Sequence, residues 1–251
     1  MSLNRRVVNR PGSVAASASH AASTDYVGVR SGGVIQRVNT PPLWESVLAQ
    51  MREAILSGQL RPGSKLVEAD LADRFGTSRG PIREAVRELI REGLVVEFDR
   101  RGNVVSTLTA RDLAEVYGVR EALEAAAARF AVERADAVAL RELERHLQAF
   151  EKGAGGDYLE NSTHDFAFHR SLVRLAGNER MTVINEQMLT QTAHLLRTAA
   201  EGNPSLQTKI KRSAHRDILK AVAARDVDRA QGAIAAHYRY AEERLFPGLA
   251  Q

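Results

Sequence analysis

Apolar residues recur every three or four positions through most of the chain, which is the period of an amphipathic helix. In the first part of the chain this pattern predicts three helices, over about 44–57, 68–75 and 78–92. Each ends at a glycine, and Ser78 is an N-cap candidate for the third. Two β-rich runs follow at 94–98 and 104–107, separated by a polar segment that suits a hairpin loop. Three helices followed by a hairpin is the order of a winged helix-turn-helix.

From Thr109 onward the pattern is helical throughout. Thr109 and Asp112 resemble a capping box, which opens a helix that runs to about Arg134. Five further helices are predicted, over about 137–151, 157–176, 179–200, 205–225 and 228–245. Six helices joined by short polar loops, with no strand signal, predict an antiparallel α-bundle. The predicted fold is mainly α, with a winged helix-turn-helix over 40–108 and an all-helical domain over 109–251.

Composition excludes several classes of protein. The chain has 251 residues, 44% of them apolar, which is enough to form a core. It has no cysteine, so disulfide frameworks, thiolate zinc sites and cysteine nucleophiles are excluded. No run approaches the roughly 18 apolar residues of a membrane helix, and the secretory-signal pattern is missing. We therefore expect a cytoplasmic protein with no membrane partner.

The net charge of +4 is unevenly distributed. Residues 1–39 carry five arginines and one acid, whereas 40–108 and 109–251 each contain equal numbers of basic and acidic residues. The segment 1–39 has no sustained period and is predicted to be a disordered arm, although its acid-poor composition also resembles an organelle transit peptide. A high isoelectric point alone does not indicate nucleic-acid binding here.

The third predicted helix carries four arginines on one face. They are spaced four residues apart, at Arg79, Arg83, Arg87 and Arg91. A DNA major groove admits one helix, and arginines near its N-terminus can contact guanine edges while others contact phosphates. The alternative is a solvated face in which Glu84, Glu88 and Glu92 pair with the arginines.

One arginine lies on the apolar stripe of the first bundle helix. Arg120 shares this stripe with Leu113, Val116, Leu123, Ala127 and Phe130. A buried guanidinium needs a partner, because an unpaired buried charge costs several kcal/mol. Two interpretations remain open: a core salt bridge to an acid on another helix, or a bidentate clamp for a ligand carboxylate.

Histidines at inward positions suggest a metal site. Asp165 and His169 are four residues apart on one helix, so both side chains can reach one ion. His215 and His237 lie on or beside the apolar stripes of two later helices. A single inward histidine is more often a packed core residue, but the set of four is typical of a divalent-metal site. The remaining histidines, His20, His146, His164 and His194, are expected to be surface or packing residues.

The segment 43–108 resembles the DNA-binding domain of the GntR family of bacterial transcription regulators. The resemblance rests on Leu60-Arg61-Pro62-Gly63, on Ser78-Arg79 through Ala85, and on Glu92-Gly93-Leu94. In that family the start of the recognition helix and the wing contact the operator. The resemblance therefore implies that the following residues bind DNA: Ser78, Arg79, Gly80, Arg83, Arg101 and Gly102.

Residues 109–246 resemble the FCD ligand-sensing domain of the FadR-like branch of this family. The resemblance includes "HDFAFHRSLVRLAGN" and "SAHRDILKAVAARD". It implies that Asp165, His169, His215 and His237 are metal ligands and that Arg120 holds an effector carboxylate. Acyl-CoA-sensing members lack this histidine set, which argues against that effector. Zinc is favoured because imidazole suits it, with nickel, manganese and cobalt as alternatives.

Together these features predict a cytoplasmic homodimer, associated with the nucleoid when bound to operator DNA, that responds to a small organic acid and represses transcription. It is not expected to be an enzyme. Two alternatives remain: a metal-dependent, hydrolase-like enzyme, and a metal-stabilised DNA-binding dimer with no small-molecule effector. Turnover assays against candidate acids would distinguish the enzyme from the regulator. The partner of Arg120 distinguishes the structural-metal dimer from the effector-responsive regulator, because a protein carboxylate in that place would favour a purely structural metal.

Overall fold

The computed structural model describes residues 41–107, 109–152, 158–202 and 212–245. The predicted arm over 1–39 lies outside these residues. None of the described helices is long and apolar enough to cross a membrane. The chain is mainly helical, as predicted, with a small N-terminal sheet followed by a helical bundle.

The N-terminal part is a winged helix-turn-helix. Its elements are α1 (Leu43–Leu56), β1 (Lys65–Leu66), α2 (Glu68–Phe75), α3 (Arg79–Arg91), β2 (Val95–Phe98) and β3 (Gly102–Val105). The core forms where α1 packs on α3, through the buried side chains of Met51, Ile55, Ile82 and Leu89. Ser78 occupies the N-cap position of α3 with an extended backbone, but its side chain makes no capping hydrogen bond.

The wing differs from the predicted hairpin in the length of its loop. The strands pair antiparallel in the order β1-β3-β2, with Phe98 opposite Gly102. Only three residues therefore connect β2 to β3, rather than the predicted five. Gly102 ends this connection at φ 73°, a left-handed conformation that glycine adopts without strain. The predicted strand over 104–107 was consequently placed two residues too late.

The C-terminal part is an all-helical bundle. Its helices are α4 (Ala110–Arg134), α5 (Ala137–Lys152), α6 (Tyr158–Leu175), α7 (Glu179–Gly202), α8 (Arg212–Ala223) and α9 (Val227–Leu245). The predicted capping box is confirmed: Thr109 N donates to Asp112 Oδ2 at 2.6 Å, and Asp112 N donates to Thr109 Oγ1 at 3.3 Å. Helix α4 packs against α6, α7, α8 and α9. Inward side chains from all of these helices therefore meet around it.

Candidate functional sites

Three buried histidines from three helices meet in the bundle. His169 lies on α6, His215 on α8 and His237 on α9, and each is at most 5% exposed. Their ring centroids are 4.5 to 5.1 Å apart. Each ring has a nitrogen that lies within 4.8 Å of a nitrogen of both other rings. The structure thus brings together three of the residues that the sequence predicted as metal ligands.

Asp165 lies one turn before His169 and contacts two of the three histidines. Its Oδ1 is 2.8 Å from His215 Nε2 and 3.8 Å from His169 Nε2, and the two Nε2 atoms are 3.2 Å apart. Neighbouring ligands on a zinc ion, bound at 2.0–2.1 Å, lie about 3 Å apart. Asp165 Oδ1 and His237 Nδ1 are also buried without a hydrogen bond of adequate geometry. The donor set therefore fits a divalent metal ion, which would satisfy such atoms.

The protonation states of the cluster suit a metal. Burial raises the pKa of Asp165, but the neighbouring imidazoles, above all that of His169, favour its carboxylate and bring its pKa well below the usual range. Burial also lowers the pKa of His215 and of His237. At neutral pH the aspartate is thus ionised and these two imidazoles are neutral, which are the forms that bind metal ions.

Glu124 of α4 was not predicted, and it connects the buried histidine cluster to Arg120. Its Oε2 accepts a hydrogen bond from His169 Nδ1 at 2.5 Å, while Oε1 accepts from the Tyr238 hydroxyl at 2.6 Å. Arg120 Nη2 lies 3.3 Å from the same Oε1. Burial raises the pKa of Glu124, but His169 and Arg120 lower this pKa by more than burial raises it, so the carboxylate is charged. Holding the proton of His169 on Nδ1 leaves its Nε2 available for a metal.

Arg120 has a protein partner and retains free donors. It is 2% exposed, and its carboxylate partner Glu124 lies on the same helix, not on another helix as the salt-bridge interpretation required. Its other hydrogen bond, from Nη1 to Thr192 Oγ1 of α7, measures 3.4 Å, and Nε has no hydrogen bond. A guanidinium has five N–H donors. The ion pair with Glu124 favours a purely structural role for Arg120. However, both of its hydrogen bonds are long and its Nε is unpaired, so the guanidinium can still bind an anion.

The other histidines in the described part of the chain do not join the cluster. His194 is buried and its Nε2 lies 2.8 Å from the carbonyl oxygen of Ser106, so it is a packing residue. His146 lies at the surface of α5, 3.8 Å from Glu142. His164 is partly buried, and His20 lies outside the described residues.

The predicted DNA-contacting residues lie on two neighbouring elements and all are exposed. At the start of α3 they are Ser78, Arg79, Gly80 and Arg83, and in the wing they are Arg101 and Gly102. Beside the wing is an open groove whose lining includes Lys65, Phe98 and Arg100, which sequence reasoning did not select. Lys65 belongs to β1, a strand of two residues that is too short to give a sequence signal.

Charge pairing along α3 is only partial. Arg91 pairs with Glu88 on the same helix, and Arg83 pairs with Glu68 of α2 at 3.3 Å. Glu92, expected to pair within α3, instead binds Arg52 of α1. Within the described part of the chain no ion pair is found for Arg79 or Arg87. Two of the four arginines therefore remain available to phosphates or bases.

Family comparisons match both parts of the chain. Residues 43–105 match the bacterial regulatory proteins of the gntR family, and residues 115–240 match the FCD domain. An HTH-type transcriptional regulator of Bacillus subtilis (strain 168), YdhC, is 31% identical over 81% of this chain and 91% of its own length. The "Probable D-xylose utilization operon transcriptional repressor" of Paenarthrobacter nicotinovorans is 31% identical over 76% of this chain and 85% of its own length.

The fold is also similar to that of a solved structure. The structure of E. coli McbR/YncC superposes with a TM-score of 0.69 at 20% sequence identity, covering 83% of this chain and 99% of that one. At this level of identity the similarity concerns the fold alone.

Proposed function

Because the chain belongs to the GntR family of bacterial regulatory proteins and carries an FCD domain, we propose that it is a transcriptional repressor controlled by a small organic acid. The family members it resembles are transcription regulators, and the protein is therefore a regulator rather than an enzyme. Repression is proposed from the name of the D-xylose operon relative. We further propose that residues 40–108 bind DNA and that 109–251 form the sensor.

A single observation carries the proposal of a metal-dependent sensor: a buried Asp–His cluster connected through Glu124 to an incompletely paired arginine. Asp165, His169, His215 and His237 would hold a divalent ion, for which zinc remains the first choice and nickel, manganese and cobalt the alternatives. When bound, such an ion supplies Lewis acidity that attracts a carboxylate oxygen.

The effector proposal rests on the donors of Arg120. Its Nε is unpaired and its two hydrogen bonds are long, so a carboxylate can add to the guanidinium with two short, charge-assisted bonds. Glu124 keeps two other partners, His169 and Tyr238, when Arg120 turns to an anion. We therefore propose a small sugar acid, hydroxy acid or dicarboxylate as the effector.

The DNA-binding proposal places α3 in a major groove and the wing beside it. Arg79 and Arg83 at the start of α3 would contact base edges or phosphates, together with Ser78 and Gly80, and Arg101 and Gly102 would contact DNA from the wing. A homodimer would present two such units to half-sites about one helical turn apart. The proposed location is the cytoplasm, at the nucleoid when DNA is bound.

A purely structural metal, in a DNA-binding dimer without an effector, is the second candidate. The observation in its favour is the buried ion pair between Arg120 and Glu124, at 3.3 Å. The two candidates differ in one measurable respect: only the first predicts that an organic acid changes DNA affinity.

The experiment uses the full-length protein loaded with zinc. Duplexes that it retains from a random-sequence pool define its binding site, and binding to that site is then titrated with sugar acids, hydroxy acids and dicarboxylates. We expect at least one acid to change DNA affinity by about 5–150-fold, the usual range of allosteric coupling. A site whose affinity responds to no acid supports the structural-metal candidate, and failure to select any sequence contradicts the regulator proposal itself.

A further inference from the structure

Helix α7 contacts the recognition helix α3 through glutamine side chains. Gln187 Nε2 donates to the carbonyl oxygen of Arg91 at 2.6 Å, and Gln191 Nε2 donates to that of Glu92 at 2.8 Å. These carbonyls belong to the last residues of α3 and its C-cap, where a helix leaves carbonyl groups without an intrahelical partner. The two glutamines are four residues apart, so they lie on one face of α7.

The contact is tight at Gly93, the residue that follows. Gly93 has φ 78°, and a Cβ atom placed there would lie 2.5 Å from Gln191 Nε2. The backbone conformation favours glycine, and a side chain at this position would displace the Gln191 amide from its hydrogen bond. One turn along α7, His194 reaches the carbonyl oxygen of Ser106, just after the wing. We call Gln187, Gln191 and His194 the α7 interface.

We propose that Gln187 and Gln191 are positioning residues for operator recognition: they fix the direction of α3 relative to the bundle and thereby select the spacing of the two half-sites. This inference rests on the proposed function, since it assumes a dimer on DNA. Both amides bind main-chain atoms, so they hold α3 whatever its own side chains contact. They also act at the end of α3 opposite to the one proposed to contact bases.

The geometry of α3 makes such control effective. Its 13 residues span about 20 Å, at about 1.5 Å per residue. A rotation of about 10° at the C-terminal end would move the N-terminal end by about 3.5 Å, close to the 3.4 Å rise of one base pair. Loss of the amide contacts should therefore relax half-site spacing by about one base pair.

The same helix leads back to the proposed effector site. Thr192 follows Gln191 directly, is buried, and lies 3.4 Å from Arg120 Nη1. A change in the partners of Arg120 can thus shift α7 at the residue adjacent to the α7 interface. This provides a route from effector to recognition helix that is separate from the connection through α4.

The test compares a duplex selected by the wild-type protein with the same duplex carrying one extra base pair between its half-sites. The main variant is Gln187→Glu/Gln191→Glu, which keeps the side-chain shape but places a carboxylate oxygen against each carbonyl. Gln187→Ala/Gln191→Ala removes the contacts without adding charge. Gln148→Glu, on the exposed face of α5, is the matched control. The readout is the ratio of the two dissociation constants, in which the repulsion between added charge and DNA cancels.

We expect the insertion to weaken binding on the order of tenfold for the wild-type and control proteins, and less than about threefold for both double variants. Thermal melting verifies that each variant is folded, and the alanine variant remains decisive if the glutamate variant is not. An unchanged ratio in a folded double variant overturns the inference, and so does a wild-type protein without spacing preference. Failure of the wild-type protein to select any duplex would instead contradict the proposed function.

Discussion

Glu124 is the residue on which the two candidate binding functions meet. It is fully buried and has three partners, namely a proposed metal ligand, a tyrosine hydroxyl and the guanidinium of Arg120. Partners that orient a ligating histidine usually affect metal affinity almost as much as the ligands themselves. The same carboxylate also neutralises Arg120 while no other anion is bound.

We expect Glu124→Gln to weaken metal binding by about 10–100-fold, because the amide is a poorer acceptor for the His169 Nδ1 proton. Competition for zinc against a chromophoric chelator measures this affinity. Glu115→Gln is the matched control, since Glu115 lies on the same helix and is exposed. If zinc affinity is unchanged while the unfolding temperature falls, Glu124 has a structural role only.

Arg79→Ala and Arg83→Ala are each expected to weaken binding to the selected duplex. A bidentate contact to guanine is worth about 1–3 kcal/mol, and its loss also relaxes specificity at that base. Fluorescence anisotropy at fixed salt measures the effect, with Arg145→Ala as a control because Arg145 is an exposed residue of α5. Wild-type affinity in both variants would exclude these arginines from DNA recognition.

Helical spacing predicted that His169, His215 and His237 point inward, because positions four apart share a face and apolar stripes mark the buried side. It did not single out His194, which is buried as well. It was not sufficient to identify Glu124, which lies beside the stripe of Leu123 and Ala127. Its position one turn after an inward arginine was the available signal. The other partners of Glu124, His169 and Tyr238, depend on how α4, α6 and α9 pack together, which spacing along one helix does not specify.

At the scale of elements, the helix that links the wing to the sensor begins at a capping box. We expect Thr109→Ala to destabilise the protein by about 1 kcal/mol at neutral pH, because Thr109 caps the Asp112 amide and donates to its carboxylate. Chemical unfolding measures the change.

The loss of stability caused by Thr109→Ala should also depend on pH. In the folded protein the hydrogen bond from Thr109 lowers the pKa of Asp112. The stabilisation that this bond gives is therefore complete above the unfolded pKa of about 3.9, and it is lost as the pH falls through the folded pKa. The difference between wild type and Thr109→Ala should therefore shrink below about pH 4. Thr182→Ala removes a hydroxyl bonded to a backbone carbonyl and should show no such trend. A difference independent of pH would contradict the capping-box explanation.

Helices were predicted more accurately than strands. The bounds of α2 and α4 agree with the expected ranges: a glycine follows the eight-residue α2, and a capping box opens the long α4. The two-residue strand β1 was missed, since alternation needs a longer run to be visible. The loop of the wing was predicted two residues too long, because its end depends on a left-handed glycine, which composition alone does not reveal.

At the scale of the whole molecule, the net positive charge comes from residues 1–39, which lie outside the described part of the chain. We expect deletion of residues 1–38 to weaken DNA binding and to reduce its dependence on salt, because fewer counterions are released from the DNA. Dissociation constants measured across a salt series give this slope. An identical slope for the truncated protein would show that these residues do not contact DNA.

Contacts between the two halves were beyond sequence reasoning. Gln187 and Gln191 bind backbone atoms almost a hundred positions earlier in the chain, and backbone acceptors leave no signature in the residues that carry them. In the sequence, two polar glutamines on a helix are typical of a solvent-facing surface, so nothing indicated that they make a contact. Only the packing of α7 against the end of α3 reveals their position.

The most direct test of the central claim, that metal and effector bind together inside the bundle, is a paired calorimetric titration. Zinc, and then the organic acid that binds most tightly to the wild-type protein, are titrated into wild type, His215→Ala and Arg120→Ala. We predict that His215→Ala loses both zinc and acid binding, whereas Arg120→Ala retains zinc and loses the acid. Acid binding of wild-type affinity in Arg120→Ala would contradict the claim and leave Arg120 as the ion-pair partner of Glu124 alone.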